Sequence, residues 1–140
     1  RGCVPKKMLV YGAQFAGDLK DARNFGWDTG ASTFDWRRLR DTVLGEVDRL
    51  NGIYRRTLES HAVTIFDQRA TITGPHEVML ADGTRHSAAH ILIATGARPH
   101  VPDCEGAEHG ITSNEVFHLD ALPERVLIAG GGYIANEFAG

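Results

Sequence analysis

The stretch Val126-Leu127-Ile128-Ala129-Gly130-Gly131-Gly132-Tyr133-Ile134-Ala135 limits the choice of fold more than any other part of the chain. An apolar run of this kind suits a strand buried on both faces of a parallel sheet. Three glycines follow it directly, and a helical pattern follows them. Strand, glycine turn, helix is the context in which such glycines mean dinucleotide binding. Gly130 permits the tight turn, and Gly132 lets the backbone approach a pyrophosphate. The helix start that follows offers free N–H groups and a positive dipole end. Ala135 fills the third small position, which leans toward NADP over NAD. A plain glycine-rich turn would read the same way, so both readings stand at this point. A second apolar run, His90 to Ala94, ends in Thr95-Gly96. The end of a parallel strand is where open α/β sheets bind ligands, so Ala94, Thr95 and Gly96 are candidates. The expected class is α/β.

Upstream, Met8, Tyr11, Phe15 and Leu19 recur at helical spacing behind Pro5, which suits a first turn. After Gly26 and Gly30, Asp35 is placed to cap a second helix. Its apolar stripe is Trp36, Leu39, Val43, Val47, Leu50, Tyr54 and Leu58. From His61 on, residues 62–66, 69–73, 78–80 and 85–88 read as short strands. Gly74-Pro75 and Asp82-Gly83 supply turns between them. These strands predict a small antiparallel meander. Residues 114–119 read as a short helix, and a domain boundary is expected near 111–123.

Reactive chemistry has one candidate. Cys3 stands at the start of the first helix and is followed by Lys6 and Lys7. A thiolate is favoured at a helix N-terminus and beside lysines, because both stabilise negative charge. A small buried hydrophobe is the other reading of Cys3. Cys104 lies between Asp103 and Glu105, whose charges disfavour a thiolate. Two cysteines are too few for a disulfide scaffold. The seven histidines show no metal-ligand spacing. A net charge of −3 gives no electrostatic footprint for nucleic acid, and no apolar run is long enough to span a bilayer.

Three motifs in this order, Gly2-Cys3-Val4-Pro5-Lys6-Lys7, Ile91-Leu92-Ile93-Ala94-Thr95-Gly96 and Gly130-Gly131-Gly132-Tyr133-Ile134-Ala135-Asn136-Glu137, resemble the pyridine nucleotide–disulfide oxidoreductases. Residues 50–54 and 110–113 look like the branch that reduces glutathione disulfide. The resemblance covers the whole chain. It implies part of a flavoprotein with two dinucleotide-binding domains, for FAD and NAD(P). Residues 1–110 would be the later part of the FAD domain and 111–140 the start of the NADPH domain.

The resemblance also implies roles. Cys3 matches the flavin-facing cysteine of a redox pair whose other member would lie five residues before it, off the chain. Lys6 matches a lysine near the flavin, paired with a glutamate at Glu137. Ala94, Thr95, Gly96 and Lys6 would contact FAD. Gly130, Gly132, Tyr133, Ile134, Ala135 and Glu137 would contact NADPH, with Tyr133 as the lid of the nicotinamide pocket. Tyr54 matches a tyrosine that touches glutathione; core packing on the long helix is the other reading. Gln68-Arg69-Ala70 departs from the Gly-x-Ala often found in the meander, and this leaves the adenine-side contacts open. The implied intact protein is a cytoplasmic homodimer that reduces glutathione disulfide. Trypanothione and thioredoxin reductases are the alternatives, and so is a non-catalytic nucleotide-binding module. The 140 residues alone are expected to be inactive.

Overall fold

The computed structural model describes residues 2–140. They form two compact units, Arg1–Ile53 with Pro99–Gly140, and Tyr54–Arg98.

In the first unit, helix α1 covers Cys3–Ala22 and continues as a 3₁₀ turn, Arg23–Phe25. Gly26 stops it in the left-handed conformation, φ 85°. The Trp27 amide donates to the Ala22 carbonyl and the Gly26 amide to Arg23. This pair of bonds satisfies carbonyls that the helix end would leave bare. Helix α2 covers Trp36–Ser60. Asp35 caps it as expected, its carboxylate accepting from the Arg38 amide at 3.2 Å. Val43 is the best-buried side chain, at 1% exposure. Gly12 lets the two helices approach: a Cβ there would stand 2.8 Å from Cδ2 of Leu39.

Helix α3, Ser113–Val116, begins with a capping box. Thr112 accepts from the Asn114 amide, and Glu115 accepts from the Thr112 amide at 2.7 Å. The segment that follows is tied to α2, because the Trp36 indole N–H donates to the Leu119 carbonyl at 2.8 Å. Helix α4 covers Tyr133–Ala139. Phe117 is buried and meets Phe138 of α4 edge-on, with ring centroids 5.6 Å apart.

The second unit carries the meander. Strands β1 (Ala70–Gly74), β2 (Glu77–Leu80) and β3 (Arg85–Ser87) pair antiparallel in sequence order. Thr71 faces Met79, and Val78 faces His86. The β2–β3 turn is held by Asp82, which accepts from the Gln68 side chain at 3.0 Å and the Thr84 amide at 2.8 Å. Those bonds, the Gln68 side chain first, bring its carboxyl down to about 2. Gly83 supplies the positive φ of 86°.

Three expected strands do not form. Residues 62–66 are irregular, because α2 ends in a left-handed residue, Ala62 at φ 55°, and the chain then turns away. Residues 90–94 and 126–129 pair with nothing among the described residues. Leu92 is 89% exposed and Leu127 97%. A parallel strand exists only through its ladder neighbours, and the described residues supply none. On α1, the stripe of Tyr11, Phe15 and Leu19 is helical as expected but exposed.

Candidate active site

The first unit gathers several of the candidate residues at one cleft. Its lining includes Cys3, Lys6, Asn114, Phe117, Tyr133 and Ile134. Cys3, at the first position of α1, is exposed and unbonded to any other cysteine. One turn further along, Lys6 is buried, its side chain only 6% exposed. A buried ammonium requires a counter-charge. Glu137 of α4 supplies it, with Oε2 against the Lys6 ammonium. The Lys6 ammonium also lies over the Tyr133 ring, 4.4 Å from its centroid. That is a cation–π arrangement.

Glu137 has a second partner. Lys7 Nζ stands 2.6 Å from Oε1, so one carboxylate joins two adjacent lysines. Hydrogen bonds from Lys6 first, then Lys7, hold the Glu137 carboxyl below the usual carboxylate range. The same bond raises Lys7 above the ordinary lysine value. Two cations and one anion leave the cluster with one surplus positive charge.

The glycine turn lies beside this cluster in sequence. Gly130 has φ 129°, a conformation that only glycine adopts without strain. Nothing lies within 4 Å of where a Cβ would stand at Gly131 or Gly132, so the backbone there is open to approach. Gly132 is the N-cap of α4, and Ala135 faces back toward Gly130. Tyr54 and Ala94-Thr95-Gly96 belong to the second unit, where all four are exposed. Gly96 there has φ 71°.

Sequence reasoning alone did not find the bond from Lys7 to Glu137, nor Asn114 and Phe117 at the cleft. For Lys7 the signal was its place beside Lys6. The other two depend on how the segment at Phe117 meets Phe138 of α4, which no local pattern encodes. Among the described residues, no three His, Cys, Asp or Glu side chains are grouped to hold a metal, and no helix is long and apolar enough to cross a membrane.

The first unit thus holds an exposed cysteine at a helix start, a buried lysine paired with a glutamate, and an open glycine turn. Residues 1–140 match the family described as pyridine nucleotide-disulphide oxidoreductase, and the chain belongs to that family. It is 49% identical over 140 residues to a glutathione reductase of Burkholderia cepacia, covering all of this chain and 31% of that protein. A chloroplastic/mitochondrial glutathione reductase of Pisum sativum is 42% identical over 141 residues, covering all of this chain and 25% of that protein. A thioredoxin reductase of Emiliania huxleyi, SEP1, is 40% identical over 144 residues, covering 99% of this chain and 29% of that protein. The chain thus spans less than a third of the length of these relatives.

Proposed function

We propose that the protein carrying these residues is a disulfide reductase that uses FAD and NADPH and acts on glutathione disulfide. The observation that carries the reading is the cleft that joins Cys3, Lys6 and Tyr133, with Lys6 paired to Glu137. Names among the relatives support glutathione disulfide over a thioredoxin substrate, since the glutathione reductase of Burkholderia cepacia has the higher identity.

The residues present fit both cofactors. Gly130, Gly131 and Gly132 leave backbone free for a dinucleotide phosphate, followed by Tyr133, Ile134 and Ala135 on α4. The surplus positive charge of Lys6, Lys7 and Glu137 fits a flavin, which gains negative character on reduction. Ala94, Thr95 and Gly96 would also contact the flavin, and Tyr54 the glutathione. When bound, the two cofactors supply hydride transfer from nicotinamide to flavin.

The chain's own residues have distinct tasks. Lys6 provides a fixed cation, kept in place by Glu137 and by the Tyr133 ring. Cys3 offers its sulfur to thiol–disulfide exchange, which requires a second cysteine to form the enzyme disulfide. Tyr133 would cover the nicotinamide when it is bound. Residues 1–110 then belong to an FAD domain and 111–140 to an NADPH domain. A homodimer in the cytoplasm, working in glutathione metabolism, completes the proposal. The test is NADPH oxidation by the full-length protein with glutathione disulfide or oxidised thioredoxin. Turnover with glutathione disulfide is expected. Turnover with thioredoxin alone would move the protein to the other branch.

A further inference from the structure

Lys6 and Lys7 are neighbours on a helix, where adjacent side chains normally diverge by about 100°. Here both reach the same carboxylate, so Glu137 sits at the seam between them. The two oxygens are divided, Oε2 to Lys6 and Oε1 to Lys7. Lys6 is buried and Lys7 is 46% exposed. A carboxylate held at one oxygen only can swivel about its last bond and exchange oxygens. Held at both, it keeps one orientation.

We propose that Lys7 is a positioning residue for the hydride-transfer site: by holding Oε1 it keeps Glu137 ionised and aimed at Lys6. This rests on the reading of the site given above. The groups facing Glu137 are few. From α1 come Lys6 and Lys7, with Tyr11 beside Lys7 and Cys3 in the same cleft. On α4 itself Tyr133 lies under Lys6. From α3, Ser113 and Asn114 reach the cleft and are not titratable, while Glu115 bonds the Thr112 cap. Among the described residues, only the two lysines are cations in contact with Glu137, and of the two Lys6 alone would remain if Lys7 were lost.

The test follows flavin reduction by NADPH in the full-length holoenzyme, without any disulfide, between about pH 4 and 9 for wild type, Lys7→Met and Lys7→Arg. Removing a cation from a carboxylate raises its pKa. Lys7→Met is therefore expected to move the acid limb toward the ordinary carboxylate value of 4.5, with the loss growing as pH falls below about 5 and none near pH 8. Lys7→Arg is expected to restore the wild-type limb, since a guanidinium can hold the same oxygen. Infrared titration of the Glu137 carboxyl, assigned against Glu137→Gln, should shift in the same direction without any turnover. Superimposed profiles for wild type and Lys7→Met would overturn the proposal. If Lys7→Met binds no flavin, a crystal structure of the wild-type holoenzyme decides. Lys7 Nζ farther than about 4 Å from the carboxylate overturns the role, and a closer contact sustains it. A wild type that accepts no hydride from NADPH would sink the proposed function, while infrared and crystal structure would still judge Lys7.

Discussion

At the scale of single residues, the pair of Lys6 and Glu137 ties chemistry to stability. Glu137 has its carboxyl lowered by the lysines. A depressed folded-state pKa contributes stability above the unfolded value, here 4.5, that is lost as pH falls through the folded one. Glu137→Gln is expected to lower the melting temperature at pH 7, and the gap to wild type should close in acid below about 4.5. Thermal melts at several pH values check this, and a gap independent of pH would speak against it. Cys3 makes a different prediction. In the full-length protein, Cys3→Ser should abolish disulfide reduction while flavin stays bound. Long-wavelength charge-transfer absorbance on reduction is the readout, and a band that survives in Cys3→Ser would dismiss the assignment of Cys3. Residue-scale features were legible where a motif names them: Cys3, Lys6, Gly130 and Glu137 all stood out in the chain. The Lys7 bond did not, because adjacent helical positions normally point apart.

Among elements, the two helix ends make a natural comparison. Gly26 and Ala62 both hold left-handed conformations after a helix, with the same pair of backbone bonds. At the end of α2 the Val63 amide donates to Leu58 and the Ala62 amide to Glu59. Only one of the two sites has glycine. A Cβ at positive φ costs ~1–2 kcal/mol. Ala62→Gly is expected to stabilise the protein by about 0.5–1 kcal/mol after the extra entropy of glycine is counted, measured by denaturant unfolding. The contact of Gly12 with Leu39 predicts the opposite sign. Gly12→Leu would drive a side chain into α2, at a cost of about 1–3 kcal/mol in the same experiment. The β2–β3 hairpin adds a pH dependence. Asp82, at about 2, supports its turn above the ordinary carboxylate range and loses that support as pH falls toward 2. Helices were legible because a period of 3.6 is written locally, and hairpins because Asp-Gly and Gly-Pro mark their turns. Residues 90–94 and 126–129 carry the composition of buried strands but pair with nothing among the described residues. Residues 62–66 were misread because an alanine does not announce a left-handed helix end.

For the molecule as a whole, the described residues have few well-buried apolar side chains, Val43, Leu80 and Phe117, against many large exposed ones such as Phe25, Trp27, Leu92 and Leu127. Exposed apolar patches and unpaired strands favour association. Residues 1–140 expressed alone are therefore expected to bind hydrophobic dyes and to aggregate, with no stoichiometric flavin and no NADPH oxidation above background. A yellow, monodisperse product would contradict this. The family was legible from three motifs in register, whereas the contact of Phe117 with Phe138 was not, since it joins separate elements. That distance also orders events during synthesis. Lys7 and Glu137 are 130 positions apart, and Lys6 one further. At ribosomal speeds of about 5–20 residues per second, the lysines emerge roughly 7–26 s before their carboxylate. During that interval α1 cannot dock where Lys6 ends up, because an unpartnered ammonium stays in water. The cleft therefore closes only after α4 has been made, and every nascent chain stalled before Glu137 displays Cys3 on a helix not yet joined to α4.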